Sequence, residues 1–242
     1  MHQPDQLYAH PQAELSQFRF DEPVVQVFPD MIKRSVPGYS QIIANTGLLA
    51  KRFAQDNSLI YDLGCSLGAS SLAMRQHLVA SNCRIVGLDN SAAMLDRARQ
   101  YLEMQDSSIE LSLELADICQ YDYQPCSFMV LNLTLQFIAP EHRPDLLSRL
   151  AQACLPGGAL LLSEKIYFTD PMEQQLMTEL HHDFKRANGY SDLEISQKRQ
   201  AIERVLIPET LDSHQQRLLA AGFSKVLLWY RNLNFVSLLA IK

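Results

Sequence analysis

The chain has 242 residues, of which 47% are hydrophobic and 20% are charged, a composition typical of a globular protein with a sizeable core. No apolar run approaches the roughly 20 residues of a membrane span, which excludes a membrane-spanning protein, and we expect no membrane partner. The formal net charge of −6 and the isoelectric point near 5.6 argue against a protein whose main partner is a nucleic acid backbone.

Two further features bear on the cellular compartment. The five cysteines are odd in number and lack C-x-x-C spacing, which predicts reduced cytosolic thiols rather than a disulfide framework or a zinc site. The polar residues 1–17 do not resemble a signal peptide, and we expect them to be a flexible N-terminus. We therefore expect a cytoplasmic protein without a bound metal.

Helices are predicted over residues 18–56, ahead of the first strand. Apolar residues within 24–32 predict a short helix interrupted by Pro29, and a turn at 35–39 leads to a second helix that Ser40 could cap. We expect these helices to cover the ligand-binding loop that follows the first strand.

The next stretch has the order of elements found in nucleotide-binding βα units. The apolar run 59–63 predicts a short buried parallel strand, Gly64 breaks it, and a helical pattern begins at Ala69. A glycine turn lets the backbone pass close to a ligand, and the start of a helix presents unpaired N–H groups. The pattern therefore predicts a ligand-binding loop at 64–68.

This loop departs from the dinucleotide-binding pattern G-x-G-x-x-G in two ways. It has Ser66 where a second glycine would let a pyrophosphate touch the backbone, and the carboxylate of Asp62 would repel phosphate. Both features favour a nucleoside-like ligand that lacks phosphates and carries a positive group. S-adenosylmethionine, a sulfonium that also carries an ammonium, fits this description.

Asp89 follows the second predicted strand, 84–88, and is a candidate for ribose recognition. It lies 27 residues beyond Asp62 (89 − 62), close to the interval at which a βαβ unit places an acid against the ribose hydroxyls. The alternative is that Asp89, Asn90 and Ser91 together cap the next helix. Both can hold, with Ser91 as the cap and Asp89 on the ribose.

The third and fourth predicted strands also end in polar residues. Strand 111–115 is followed by Asp117, whose carboxylate could accept from the exocyclic amine of a base while the Ile118 N–H donates to a ring nitrogen. The alternative is a plain aspartate at a strand end. Strand 127–133 has Asn132 at its carboxyl end, where open α/β sheets bind ligands.

Beyond the fourth strand the pattern predicts a helix at 140–153, a stop at 156–158 and a fifth strand at 159–163. Residues 169–208 then break the alternation, and their polar pattern predicts a helical insertion. Its adjacent histidines at 181–182 cannot share one helix face, so they are a poor pair of metal ligands. The alternative for this segment is a solvated helix and loop.

The chain closes with a helix and a hairpin. A helix is predicted at 210–221, with Gly222 ending it, and strands are predicted at 226–230 and 235–241. A hairpin at the end of an alternating chain predicts an antiparallel edge strand on a mostly parallel sheet. The predicted fold class is therefore α/β, in a single domain over residues 1–242.

Four features in this order resemble the class I S-adenosylmethionine-dependent methyltransferases. They are the Asp62-x-Gly-x-x-x-Gly68 loop, the acid at Asp89, Asp117 after the third strand and the closing hairpin. The resemblance implies a Rossmann-like fold with helices on both faces of a mostly parallel sheet of about seven strands. It also implies an antiparallel C-terminal strand, the N-terminal helical cover and the helical insertion after strand five.

A closer resemblance, to the carboxy-S-adenosylmethionine synthases, covers nearly the whole chain. It rests on Phe20-Asp-Glu and on the strings at 27–39, 61–68 and 181–199, which are long and unusual. It implies that S-adenosylmethionine and prephenate are substrates and that carboxy-S-adenosylmethionine and phenylpyruvate are products. It also implies a homodimer, with 169–208 as a dimer segment, and a separate enzyme that uses the product to carboxymethylate wobble uridine in tRNA.

The same resemblance implies a set of ligand contacts, and we assign catalytic roles to two of them, Arg199 and Tyr39. The guanidinium of Arg199 stays charged and pairs bidentately with a carboxylate, which suits the carboxylate of the product. Tyr39 would assist as a hydroxyl donor; the alternative is a half-buried anchor of its helix. The implied ligand contacts are Tyr39, Gly64, Cys65, Ser66, Asp89, Asn90, Asp117, Ile118, Asn132 and Arg199.

The chemistry can be outlined from the reactants. A sulfonium acidifies the C–H bonds of its own methyl group, so a base could form a sulfur ylide. Prephenate readily loses carbon dioxide because its ring becomes aromatic, and an enclosed site would let the ylide capture that carbon dioxide. No protein base emerges from the motifs, and the carboxylate of the departing prephenate is one candidate.

Two other functions are compatible with the same motifs. An ordinary methyltransferase acting on a small molecule or RNA would use the segment around Arg199 as a plain cap over the site. A non-enzymatic sensor would hold an adenosine ligand without chemistry. The acidic net charge and the lack of an evident basic stripe favour a small-molecule substrate over RNA.

Overall fold

The structure, a computed structural model, describes residues 4–12, 18–203 and 205–242, and a seven-stranded sheet in the order β3-β2-β1-β4-β5-β7-β6 forms its centre. Strands β1 to β5 are parallel, and β7 runs antiparallel to both of its neighbours. The predicted α/β fold with an antiparallel C-terminal strand is confirmed. The strands are β1 (Leu59–Leu63), β2 (Arg84–Asp89), β3 (Glu110–Leu115), β4 (Cys126–Asn132), β5 (Cys154–Lys165), β6 (Lys225–Asn232) and β7 (Phe235–Ile241).

Helices lie on both faces of this sheet. Two 3₁₀ turns, Leu135–Phe137 and Pro140–His142, lead from β4 into α5, and α6 and α7 form the helical insertion that follows β5. The helices are α1 (Glu22–Ser35), α2 (Tyr39–Phe53), α3 (Ala69–His77), α4 (Ala92–Glu103), α5 (Arg143–Ala153), α6 (Pro171–Ala187), α7 (Asp192–Ile202) and α8 (Leu211–Ala221).

The core is divided between the two faces because successive residues of a strand point to opposite sides of the sheet. In β1, Tyr61 and Leu63 pack with residues of α5 and α8, whereas Ile60 packs with residues of α2 and α3. Both faces of the central strands are therefore buried, and β1, β2 and β4 are mostly apolar and stand out in the sequence as hydrophobic runs. The edge strand β3 is only partly buried, and its polar and apolar residues alternate.

The antiparallel strand is β7, and it lies inside the sheet between β5 and β6. The prediction that it would form the edge is therefore wrong. All of β7 except its last residue is buried, whereas β6 exposes Leu227 and Leu228. The more apolar strand of the hairpin takes the interior position, and the strand that tolerates solvent takes the edge.

Two predicted features of the N-terminal helices are wrong. Helix α1 continues through Pro29, because a proline removes only one backbone hydrogen bond and burial of the apolar face, which includes Met31, offsets that loss. Helix α2 begins at Tyr39, and its N-cap is Gly38 in the left-handed region, with φ 75°. Ser40 is thus inside the helix and does not cap it.

The boundary between α5 and β5 also differs from the prediction. The helix ends at Ala153 and the strand begins at Cys154, so the stretch 156–158 lies within β5 and does not separate two elements. The register between β4 and β5 shifts at this point, and Gly157 has φ 76°. An irregularity of this kind lets a strand continue through a proline and two glycines.

Residues 4–12 differ from the expected flexible N-terminus. Asp5 is 2% exposed, and its carboxylate accepts hydrogen bonds from Tyr190 Oη and from Lys198 Nζ, the latter at 3.2 Å. These contacts join residues that are 185 and 193 positions apart, so no local pattern signals them. The rest of that predicted segment, residues 1–3 and 13–17, lies outside the described residues.

Within residues 4–12, 18–203 and 205–242, no helix is both long and apolar enough to cross a membrane. In the same part of the chain, no three His, Cys, Asp or Glu side chains are grouped so that they could hold a metal ion. The cysteines are free thiols, and four of them are buried.

Candidate active site

The loops at the carboxyl ends of β1, β2, β3 and β4 surround a cavity of about 790 Å³. Open α/β sheets bind ligands at this edge, and the volume is typical of small-molecule sites. All the predicted ligand contacts line this cavity: Tyr39, Gly64, Cys65, Ser66, Asp89, Asn90, Asp117, Ile118, Asn132 and Arg199. Their placement together makes a shared ligand possible, and their individual ligand contacts stay predictions.

The loop after β1 is held against its neighbours through its backbone. The N–H groups of Gly64 and Cys65 both donate to the Leu88 carbonyl, at 2.8 and 2.9 Å. Gly64 has φ 73°, and a Cβ at this position would lie 2.4 Å from Thr134 Cγ2. Only glycine fits here, and the cavity wall at this point is therefore backbone rather than side chain.

Asp89 connects this loop to the start of α4. It is 8% exposed; Oδ2 accepts from the Ser66 N–H and Oδ1 from the Ser91 N–H, each at 2.8 Å. Burial raises the pKa of Asp89, and these backbone hydrogen bonds oppose the rise. Ser91 Oγ accepts from the Met94 N–H, so Ser91 caps α4 as predicted. Each Asp89 oxygen keeps a lone pair that a ligand hydroxyl could use.

Asp62 and Tyr39 provide an anionic and a hydroxyl group beside the loop. Asp62 is buried in β1 and accepts a hydrogen bond from Ser71 Oγ at 2.6 Å. Burial raises the pKa of Asp62 to about 6, and the bond from Ser71 opposes the rise. Burial also raises the pKa of Tyr39, and the nearby Asp62 carboxylate raises it further. Tyr39 is therefore a neutral hydroxyl at pH 7. A cationic ligand would favour the ionised form of Asp62.

The loops after β3 and β4 present unpaired polar groups. Asp117 is exposed and accepts from the Cys119 N–H at 2.9 Å, and the Ile118 N–H donates no hydrogen bond within the described part of the chain. Asn132 Nδ2 donates to Ser70 Oγ at 3.3 Å, but its Oδ1 is buried without a partner there. An unpaired buried acceptor is costly unless a ligand supplies a donor. Asn132 Oδ1 thus suits an ammonium or a hydroxyl.

Arg199 reaches the cavity from α7. Its side chain is 55% exposed, and its Nε donates to Glu203 one helical turn further on. The two terminal nitrogens donate no hydrogen bond within residues 4–12, 18–203 and 205–242. Glu203 therefore orients the guanidinium and leaves free the two nitrogens that a carboxylate could engage bidentately.

Comparison with known proteins agrees with this geometry. Residues 60–158 match the family described as methyltransferase domain. The carboxy-S-adenosyl-L-methionine synthase of Pseudomonas entomophila is 58% identical, with 99% of this chain and 98% of that protein covered, and that of Stutzerimonas stutzeri is 57% identical, with 99% of both covered. The chain belongs to the carboxy-S-adenosyl-L-methionine synthase family.

A solved structure supports the fold of this carboxy-S-adenosyl-L-methionine synthase family member. Human N-acetylserotonin methyltransferase, in complex with S-adenosylmethionine, matches with a TM-score of 0.61 at 18% identity. The match covers 100% of this chain and 62% of that one, and at this identity it concerns the fold alone. The identity to the synthases and the match to the methyltransferase domain, together with this fold, confirm both resemblances predicted from the sequence.

The cavity of this synthase family member has walls that sequence reasoning did not single out. The rings of Phe20 and Phe137, with centroids 5.3 Å apart, pack edge to face and line the cavity. Lys165 and Lys185 line its opposite part. The position of Lys165 at the carboxyl end of β5, at the same sheet edge as Asn132, was a usable signal. Lys185 lies on a polar helix, where nothing in the local pattern marks it.

We expect Ser66→Gly to leave the fold intact and its stability unchanged or raised by about 1 kcal/mol. Ser66 has φ 51°, a left-handed conformation that costs other residues about 1–2 kcal/mol and glycine almost nothing. The added freedom of glycine in the unfolded chain offsets about 0.4–1 kcal/mol of that gain. If the hydroxyl contacts the ligand, affinity for S-adenosylmethionine should fall modestly. Thermal unfolding and calorimetric titration measure both; an unfolded or aggregated variant would mean that Ser66 is structural.

We expect Asp89→Ala to weaken binding of S-adenosylmethionine by about 1.5–3 kcal/mol, the range for hydrogen bonds to a charged group. The change would remove the acceptor predicted for the two ribose hydroxyls, and it also releases the Ser66 N–H. Asp96→Ala is the matched control, because Asp96 carries the same charge on α4 but is exposed and pairs with Arg99. Unchanged affinity in Asp89→Ala, with an intact circular dichroism spectrum, would remove Asp89 from the site.

Proposed function

We propose that the chain converts S-adenosylmethionine and prephenate to carboxy-S-adenosylmethionine and phenylpyruvate. The observation that carries the proposal is Arg199, whose guanidinium lines the same cavity as the loop containing Ser66 and Asp89. A carboxylate added to the ligand's methyl group would find a bidentate partner in its two free nitrogens. Relatives that are 56–58% identical over 99% of the chain and carry the name of this synthase support the same reaction.

In this proposal each end of the ligand has its own set of contacts. Asp89 accepts from the ribose hydroxyls, Asp117 and the following backbone N–H bind the base, and Asn132 Oδ1 accepts from the ammonium. Arg199 and the neutral hydroxyl of Tyr39 bind the carboxylate that the reaction adds. S-adenosylmethionine is therefore a substrate and carboxy-S-adenosylmethionine is the product that the complete site fits best.

The reaction forms one carbon–carbon bond. The sulfonium methyl group loses a proton and becomes a sulfur ylide, while prephenate loses carbon dioxide and its ring hydroxyl as hydroxide to give phenylpyruvate. The ylide carbon attacks carbon dioxide, and the removed proton ends in water with the hydroxide, so that atoms and charge balance. A carboxylate of prephenate is the first acceptor of this proton in the proposed reaction. The rings of Phe20 and Phe137 limit access of bulk water to the intermediates.

We also propose how the product is used and in which oligomeric state the chain acts. The product is used in the cytoplasm by a separate enzyme that carboxymethylates wobble uridine in tRNA, and this chain does not itself bind nucleic acid stably.

In this proposal the chain acts as a homodimer. An apolar stripe at helical spacing on α6 supports this oligomeric state, because Met172, Leu176 and Leu180 are 81%, 49% and 37% exposed. Sedimentation equilibrium measures the oligomeric state.

Mass spectrometry tests the reaction directly. The purified chain is incubated with S-adenosylmethionine, with and without prephenate, and the nucleoside products are weighed. A product heavier than S-adenosylmethionine by one carboxyl group in place of hydrogen, formed only with prephenate, is expected. S-adenosylhomocysteine as the main product would indicate an ordinary methyltransferase, and unchanged S-adenosylmethionine would indicate a ligand-binding protein; either result would overturn the proposal.

A further inference from the structure

The walls of the cavity carry opposite charges at its two sides. The acids Asp89 and Asp117 line the side formed by the ends of β2 and β3. The side formed by β5, α6 and α7 is cationic. Its basic residues are Lys165, His181, His182, Lys185, Lys198 and Arg199.

Most of these basic groups already have a partner within the chain. Arg199 pairs with Glu203, and Lys198 Nζ lies 3.2 Å from Asp5 Oδ2 and 2.9 Å from Ser35 Oγ. His181 Nε2 lies 2.8 Å from the Ser35 carbonyl, and its pKa is lowered by burial to about 3, so it is neutral. The two contacts to Ser35 hold α6 and α7 against α1, and the pairs with Asp5 and Glu203 compensate the charges of Lys198 and Arg199.

Lys165 and Lys185 are different. Both are half-buried, and neither ammonium forms an ion pair or a hydrogen bond within residues 4–12, 18–203 and 205–242. Burial lowers the pKa of Lys185 to about 7, and repulsion from Lys165, Lys198 and Arg199 adds to the effect. Burial and Arg199 likewise lower the pKa of Lys165, against the opposing Glu203. The two ammonium groups disfavour each other's charge, and a ligand that supplies negative charge would favour the protonated form of both lysines.

We propose that Lys165 and Lys185 form the subsite for a dicarboxylate substrate, on the side of the cavity away from the acids that face the sulfonium ligand. The inference rests on the proposed function and deepens it by assigning residues to the second substrate. Two uncompensated lysines match two carboxylates, whereas Arg199, neutralised by Glu203, serves the carboxylate that the reaction adds. The opposite charges on the two walls also orient the two substrates, because exchanging them would place like charges together.

The test measures binding without turnover. Prephenate is titrated into protein saturated with S-adenosylhomocysteine, which has no methyl group to react. The variants are Lys165→Gln, Lys185→Gln, the double variant and Lys51→Gln; Lys51 is exposed on α2 outside the cavity and is the matched control. Each cavity variant should lose about tenfold in prephenate affinity, and the double variant about a hundredfold. Lys51→Gln should bind prephenate like the unmodified chain, and all should bind S-adenosylhomocysteine equally, which establishes that they are folded.

Charge is the property that the subsite is expected to recognise. Lys165→Arg and Lys185→Arg keep the charge and should restore most of the affinity that the glutamine variants lose. Equal prephenate affinity in all variants would overturn the subsite. Failure of the unmodified chain to bind prephenate would overturn it as well, and the mass-spectrometric assay then separates two cases: carboxylated product means that only the subsite is wrong, and its absence means that the proposed function is wrong too.

Discussion

Replacing Arg199 by alanine should weaken binding of carboxy-S-adenosylmethionine by about 2–5 kcal/mol and leave binding of S-adenosylmethionine nearly unchanged. The two ligands differ by one carboxylate, which the free nitrogens of the guanidinium would bind. Without Arg199, that carboxylate would lie near Glu203 with no cation between them. Because 55% of the Arg199 side chain is exposed, solvent screening places the expected loss in the lower part of this range.

Two further variants sharpen this prediction. Arg199→Lys keeps the charge but not the planar fork and should restore only part of the affinity. Glu203→Gln removes the carboxylate that competes for the guanidinium and should tighten binding of the carboxylated ligand. Calorimetric titration of both ligands into each variant measures these effects. Equal losses for the two ligands in Arg199→Ala would mean that Arg199 does not recognise the carboxylate, and its assigned role would have to be abandoned.

The largest effect on stability is expected at Arg143, where substitution by alanine should lower the free energy of unfolding by about 3–5 kcal/mol. Arg143 is 0% exposed and forms an ion pair with Glu209. It also donates to the carbonyls of Ile138 and Ile207, both at 2.9 Å, and of Gln136 at 3.3 Å. Alanine would remove the donor to the Ile138 and Ile207 carbonyls, whereas the Gln136 carbonyl would still accept from the Ile207 N–H, and it would open a cavity where the side chain lay.

The control for this prediction is Arg99→Ala, which breaks the exposed pair with Asp96 on α4 and should cost less than about 1 kcal/mol. Urea unfolding of both variants gives the two free energies of unfolding. If the dependence of this free energy on urea concentration is the same as in the unmodified chain, the same unfolding transition is being compared. Arg143 also ties the 3₁₀ turn at Leu135–Phe137, part of the cavity wall, to the segment before α8. A loss below about 1 kcal/mol for Arg143→Ala would mean that water replaces these bonds without difficulty.

Much of the candidate site could be predicted because parallel strands end at one edge of a sheet. Ser66, Asp89, Asp117 and Asn132 each follow a separate apolar run, and a shared edge was enough to place them around one cavity. The structure adds roles that spacing does not signal. Asp89 lines the cavity and also accepts a hydrogen bond from the Ser66 N–H. It therefore stabilises the loop after β1, a role that the sequence did not predict.

Contacts between distant segments could not be predicted in the same way. Asp5 looked like part of a flexible polar start, yet it is the buried partner of Lys198 on α7. Lys165 and Lys185 belong to different elements, and their lack of partners among the described residues becomes visible only in the structure, where both line one cavity. A burial pattern predicts which face of an element is covered, but it carries no information on which distant side chain covers it.

The fold class and the sheet edge at which the cavity lies could be predicted from the amino-acid sequence, because apolar runs, glycine turns and strand-end acids are local properties of the chain. The family could be predicted as well, from the resemblance of long sequence strings. The position of β7 inside the sheet, the hydrogen bond from Arg199 to Glu203 and the two lysines without partners among the described residues could not be predicted in this way. These features depend on competition between whole surfaces for burial and between charges for partners. Such competition is settled only when all the elements pack together.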